Sequence, residues 1–203
     1  SSTKVTTEAK ANLIAFQVMA QDQLHLTAEV AEGFEKYAAG YGITAIQAAN
    51  NMKGLTEQLE KETGIDKLTL QRDIISEIGS LSADTRLSFS KMGGHLEVAV
   101  LKAKSLGFTM DQINNVGENL LNVEQSVGSE LNYQLLTGRR LLTNQGKSFT
   151  NEFRMAKVMG DQKRMAELMG DIMEKEGHQL KTNFLARKQF AEMTGLKIGR
   201  AHV

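Results

Sequence analysis

Four histidines, His25, His95, His178 and His202, are the first residues to test for chemistry. Imidazole serves both as a metal ligand and as a general base near neutral pH. None of the four has a second histidine, a cysteine or an acid at the spacing of a recognised metal motif. They read as ordinary surface or boundary histidines. The chain has no cysteine, which excludes disulfides and thiolate metal sites. Serine and aspartate are plentiful, but no nucleophile elbow frames any of them. Gly93-Gly94 is not followed by Lys-Ser or Lys-Thr, so it is not a phosphate loop. Glu57, Glu60 and Glu62 cluster, yet Lys53 and Lys61 lie beside them, and the group reads as a solvated helix face with ion pairs. No catalytic, cofactor-binding or metal-ligating residue is assigned, and no enzyme activity or cofactor is expected.

Two further groups bear on binding. Met155, Met159, Met165, Met169 and Met173 step by four within two helical pieces. Methionine is flexible and polarizable, so the set makes either a plastic surface for another copy or a partner, or an ordinary core stripe. Arg139, Arg140, Lys147, Arg154, Lys157, Lys163 and Arg164 form a basic band interrupted only by Glu152 and Asp161. Such a band attracts phosphates, but only Phe149 and Phe153 are interleaved and no nucleic-acid-binding motif frames it. A solvated face is the simpler reading, and specific nucleic-acid binding is not expected.

The elements that must carry these residues are helices. The chain of 203 residues has no proline, where average usage gives about ten. Proline breaks helix interiors, so its absence suits long helices. Thr6 to about Ala39 reads as one long helix, with Leu13, Phe16, Ala20, Leu24, Thr27, Ala31, Phe34 and Ala38 as a weak coiled-coil-like seam. Gly40-Tyr41-Gly42 breaks it. Ile43 to about Glu62 is a second helix, stopped by Gly64. Asp66 caps a third, carrying Leu70, Ile74 and Ile78. Ser82 caps a short fourth, with Leu87 packing inward, and His95 to Leu106 forms a fifth. No period-two alternation is long enough to argue a sheet.

Gly107 to Gln112 is a helix stop followed by a start. Thr109 and Gln112 have capping-box spacing, Phe108 and Ile113 fall at hydrophobic-staple positions, and Asp111 favours the first turn. From Thr109, Ile113, Val116, Leu120, Val123, Val127, Leu131 and Leu135 predict one apolar stripe over roughly seven turns. Asn115, Glu118, Asn122, Gln125, Ser129 and Asn132 predict the wet face opposite. The segment Leu136 to Gly146 is ambiguous. Helices follow over Phe149–Met159, Asp161–Glu176 and about Leu180–Thr194, with Gly160-Asp161 read as stop and cap.

Several of these words resemble the tail tape measure proteins of tailed bacteriophages. They are Leu106-Gly107, an NLL-x-(I/V)-E-x-S run at Asn119–Ser126, an LL-x-G close at Leu135–Gly138, an A-x-x-x-G-D turn at Ala156–Asp161, and M-x-x-G-L at Met193–Leu196. Leu81–Thr85 and Phe89 also look like the family. The resemblance covers the second half of the chain well and the first half in style. It implies a virion structural protein lying in the tail lumen, synthesised and assembled in the host cytoplasm. Such a protein sets tail length and leaves through the tip at infection. It implies as partners other copies, associating through helices, together with the tail tube protein, tail assembly chaperones and the tail tip. A bacterial α-helical adaptor or sensor module is the alternative reading, and an enzyme fragment lacking its catalytic half is a third.

The expected fold is all-α: an elongated multi-helix array, partly coiled-coil-like, with little globular core because aromatics are scarce. The expected regions are 1–106, a helical region with a long first helix; 107–196, the tape-measure-like region; and 197–203, a non-native tail. Lys197–Val203 matches the translation of a short-read sequencing adapter (AAG ATC GGA AGA GCA CAC GTC), as expected for a fragment assembled from environmental DNA. A genuine basic tail is the alternative. No run approaches the roughly twenty apolar residues of a membrane span. Formal net charge is zero, with the first hundred residues acidic on balance.

Overall fold

The computed structural model describes residues 2–86 and 96–199. Those residues form eleven α-helices and no β-strand, so the chain is all-α as expected. His95, Leu87, Phe89, Gly93, Gly94 and His202, which the sequence singled out, lie outside the described residues. The chain divides into two compact units, Ser1–Gly93 and Gly94–Val203. The expected division at 106/107 puts the helix before Gly107 in the first region. That helix belongs instead to the second unit, where it packs on the long helix Gln162–Thr182.

In the first unit, α1 (Ser2–Val18) runs into a π-helical turn at Met19–Gln23, and α2 (Ala28–Gly40) follows. The single helix expected over Thr6–Ala39 is therefore broken. A straight helix would hold Phe16 and Phe34 about 27 Å apart, whereas their rings stack with centroids 5.5 Å apart. The chain folds back between them. His25 takes a left-handed conformation, φ 51°, at the reversal, and Thr27 caps α2 by accepting from Val30 N at 3.3 Å. The expected seam becomes an internal contact: Phe16, Ala20, Leu24, Phe34 and Ala38 are buried, while Leu13 and Thr27 are exposed.

The second expected helix is also split, at Met52, into α3 (Ala45–Asn51) and α4 (Lys53–Thr63). Thr44 and Gln47 form a capping box at its start. Gly64 stops α4 in the left-handed region that favours glycine. Asp66 caps α5 (Lys67–Ser80), accepting from Leu68 N and Thr69 N, and Leu70, Ile74 and Ile78 face the core as predicted. Helices α2 and α5 cross at Gly33 and Gly79. A Cβ on Gly33 would run into the Gly79 carbonyl, and one on Gly79 into the Val30 carbonyl oxygen. Ser82 caps the next turn through Thr85 N at 3.2 Å.

The second unit contains α6 (Leu96–Ser105), α7 (Met110–Leu121), α8 (Val123–Thr137), α9 (Phe149–Met159), α10 (Gln162–Thr182) and α11 (Phe184–Thr194). The Thr109–Gln112 capping box forms in both directions, at 3.2 and 2.9 Å. The seven-turn helix expected beyond it does not. Asn122 leaves the helical region with ψ 82° and divides α7 from α8. The ambiguous segment is a tight turn after Gly138, closed by Phe149 N to Leu141 O at 3.0 Å and Thr143 N to Lys147 O at 2.7 Å, with one isolated antiparallel bridge, Leu142 to Ser148.

Each unit has a core of its own, contrary to the expected scarcity. Aliphatic side chains supply most of it where aromatics are few: Ile74, Ile75, Ile78 and Met52 in the first unit, and Ile113, Val116, Leu168, Met169 and Ile172 in the second, all 1% exposed or less. Within the expected non-native tail Ile198 is buried, while Lys197 before it is exposed.

Candidate interaction surface

The break at Asn122 turns the helix face. Before it, Ile113, Val116 and Leu120 are fully buried, as the stripe requires. After it, the same stripe points outward: Val123, Val127, Leu131 and Leu135 are 53, 39, 54 and 84% exposed. Ser126, Ser129 and Tyr133 face inward instead, and α8 packs along α11 with them. Small side chains let the two helices approach closely. The Leu120 carbonyl at the break accepts from Arg154 Nε at 2.7 Å and from Ser126 Oγ at 3.3 Å. Arg154 also reaches Ser126 Oγ at 2.8 Å and Asn151 Oδ1 at 2.9 Å. This guanidinium therefore satisfies a helix end, where an unpaired buried carbonyl would cost stability.

The rest of the basic band is similarly dispersed. Arg139 Nε donates to the Glu176 carboxylate at 2.9 and 3.3 Å. Lys157 pairs with Glu118 at 2.9 Å and reaches Asn114 Oδ1 at 3.3 Å. Lys163 and Arg164 lie within 4 Å of Glu167, and Arg164 within 3.8 Å of Glu152. Arg140 and Lys147 are exposed on the turn. Internal carboxylates and carbonyls thus use most of the charge that a phosphate ligand would need.

The methionine set is divided between its two readings. Met165, Met169 and Met173 on α10 are core residues, whereas Met155 and Met159 on α9 are 58 and 62% exposed. His25 and His178 are exposed. Glu57 is exposed too, and Glu60 accepts from Lys67 N at 2.6 Å, joining α4 to the start of α5. The side chain of Glu62 is outside the described residues. Among the described residues, no three His, Cys, Asp or Glu side chains gather as a metal site. None of the described helices is long and apolar enough to cross a membrane. A groove of about 370 Å³ in the first unit lies between α2 and α5, where Arg86 donates to the Gly33 carbonyl at 3.2 Å.

Two buried polar groups escaped the sequence reading. Glu176, 1% exposed, accepts from Arg139 and from the Tyr133 hydroxyl at 3.1 Å. Burial first, and then the neighbouring Glu176 carboxylate, push the Tyr133 hydroxyl well above the ordinary tyrosine range. Asn114 and Gln162 exchange amide hydrogen bonds at 2.8 and 3.0 Å, both nearly buried. Both clusters pair residues more than forty positions apart, which local spacing does not reveal. The turn before α9 is pinned by Asn144 to Asp171 at 2.9 and 3.1 Å and by Lys175 Nζ to Thr143 O at 2.7 Å.

The motif residues lie at the joints of this unit. Asn119 Nδ2 donates to the Thr194 carbonyl at 3.2 Å. A Cβ on Gly195 would run into that same amide. Gly138 and Gly160 end α8 and α9 in left-handed conformations, and Asp161 caps α10 through Arg164 N at 3.0 Å. The exposed large apolar side chains of this unit include the α8 ridge, Met155, Val158 and Met159 on α9, and Phe184 and Leu185 at the start of α11. Compared with family models, curated proteins and solved structures, the chain matches none.

Proposed function

We propose that the chain is a segment of the tape measure protein of a tailed bacteriophage and acts structurally, without catalysis. The observation that supports this reading is the convergence of the resembling motifs. Asn119 from the NLL run meets Thr194 and Gly195 from the terminal run, while Gly138, Gly160 and Asp161 make the caps between. The words between Leu106 and Leu196 belong to the second unit, while Leu81–Thr85 lies in the first.

In this role the segment helps set tail length, resides in the tail lumen and leaves the tail at infection. Its partners are the tail tube protein, assembly chaperones, the tail tip and other copies. A helical gauge maps residues to distance at about 1.5 Å each. The fold-back at Met19–Thr27 weakens that role for the first forty residues. The motif-bearing unit is then a folded node of the tape rather than a plain rod. The test is made in the parent phage. Mass spectrometry of purified tails should find this chain, and in-frame deletions within residues 6–39 should change tail length in electron micrographs by less than about 1.5 Å per residue removed. Absence from the tails would refute the reading. Full linear shortening would refute the folded-node part of it.

A bacterial adaptor or sensor module is the second reading, and the outward ridge of α8 favours it, since such modules work by docking helices. A short reading frame beside receptor genes would select it. A long frame beside tail tube and baseplate genes would select the first.

A further inference from the structure

We propose that the corner between α10 and α11 docks on an anionic lipid surface. Phe184 and Leu185 enter the headgroup layer there, and Lys181, Arg187 and Lys188 meet the lipid phosphates. This goes beyond the phage reading and does not rest on it. A single residue, Asn183, joins the two helices, at φ −108° and ψ 101°. Its side chain accepts from Ala186 N at 3.0 Å, and its N–H donates to the Gln179 carbonyl at 2.8 Å, so the corner is fixed from both helices. Leu180, Ala186 and Phe190 turn into the core and are fully buried. Phe184 and Leu185 stand at the apex, 66 and 54% exposed, outside that core.

The charge around the apex says what covers it. From Gly177 to Ala191 the chain has no acid, and Lys181, Arg187 and Lys188 all lie within four residues of the two apolar side chains. Among the described residues none of these three pairs with a carboxylate, unlike Arg139, Lys157 and Arg164 of the same unit. The Arg187 guanidinium sits 5.6 Å from the centroid of the Phe184 ring, so ring and cation are presented together. Of the flanking acids, Glu176 is buried under Arg139 and Tyr133. Glu192 follows Lys188 by four residues, the weaker order for a helical ion pair. Apolar tips ringed by cations match an anionic bilayer, whose surface attracts Lys and Arg and whose interface accepts aromatic and aliphatic side chains. A protruding corner meets a flat bilayer without any matching hollow, whereas a protein partner must supply an acidic pit. The contact is peripheral, since none of the described helices is long and apolar enough to cross. Each Lys or Arg near such a surface contributes about fivefold in affinity, and two apolar side chains hold a chain only reversibly.

Flotation of the full chain with phosphatidylcholine vesicles, with and without about 30% phosphatidylserine, tests this. Binding is expected on the anionic vesicles only, falling as salt rises from about 0.05 to about 0.5 M. Lys181→Gln with Lys188→Gln, and separately Phe184→Ser with Leu185→Ser, should each weaken binding at least about tenfold while circular dichroism is unchanged. All four side chains are exposed, so the fold tolerates both changes. The chain has no native tryptophan, so Phe184→Trp reports on the apex alone. Its emission should shift to the blue on anionic vesicles, and that of Val158→Trp, on α9, should not. No flotation with anionic vesicles, equal binding to neutral ones, or undiminished binding by either double variant overturns the proposal. A blue shift for Val158→Trp and none for Phe184→Trp overturns the corner as the seat of the contact. Retention on immobilised polyglutamate by a chain that ignores vesicles overturns the lipid in favour of an acidic protein.

Discussion

Replacing Tyr133 by phenylalanine removes one hydroxyl from a fully buried position and leaves the ring contacts with Phe190 in place. The hydroxyl donates to Glu176 at 3.1 Å, and Arg139 keeps the same carboxylate partnered. A hydrogen bond to a charged acceptor is worth about 2 kcal/mol, so Tyr133→Phe should lower stability by roughly that amount near pH 8. The deficit should then shrink in alkali. In the unfolded chain tyrosine titrates near pH 10, while in the fold burial and Glu176 hold the proton on. Below about pH 10 both states are protonated and the contribution is fully present. Above it the unfolded state sheds a proton that the folded state keeps, so wild-type stability falls as pH rises, by at most about 1.4 kcal/mol per pH unit. The variant lacks this dependence. Tyr37 and Tyr41 are common to both proteins and cancel. Urea unfolding at about pH 8 and about pH 11 should show the gap closing by roughly 1.4 kcal/mol. A gap equal at both pH values would refute the argument.

Gly33→Ala should destabilise by about 3 kcal/mol, since its Cβ meets the Gly79 backbone, whereas Gly128→Ala, with open space at its Cβ, should stabilise by up to about 1 kcal/mol. Denaturant midpoints of the two variants should move in opposite directions. Thr109→Ala should cost on the order of 1 kcal/mol and Thr109→Asp should be tolerated, because Thr109 accepts from Gln112 N at 3.2 Å. Equal thermal shifts for the two would count against the cap.

The helix ends with chemical signatures were legible. Gly64 and Gly160 stop helices in the left-handed region, and Asp66, Thr109 and Asp161 start them; Gly138, in a segment whose pattern was ambiguous, ends α8 the same way. The breaks without glycine or proline were not. At Asn122 and between Met19 and Thr27 the apolar period runs on undisturbed, and period alone fixes neither continuity nor which face turns inward. Thr44 and Gln47 have capping-box spacing and form the box, a local signal at a helix start. The inward face of α8 is small and polar, Ser126 and Ser129 beside Tyr133. That face packs along α11 and meets Arg154 and Glu176, while the four aliphatic side chains stay outside. Those partners sit 28 and 43 positions away. The candidate surface was legible as a list of residues and invisible as a surface.

The pairing of α8 with α11 also sets a timetable. Asn132 on α8 meets Gln189, 57 residues later, and Asn119 meets Thr194, 75 residues later. At about 5–20 residues per second of synthesis, the second strip of helix arrives several seconds after the first. Through that interval α8 has its partners Arg154, Thr150 and Glu176, which precede α11 in the chain, but not the α11 face it packs along. A nascent chain in that state is open along that face.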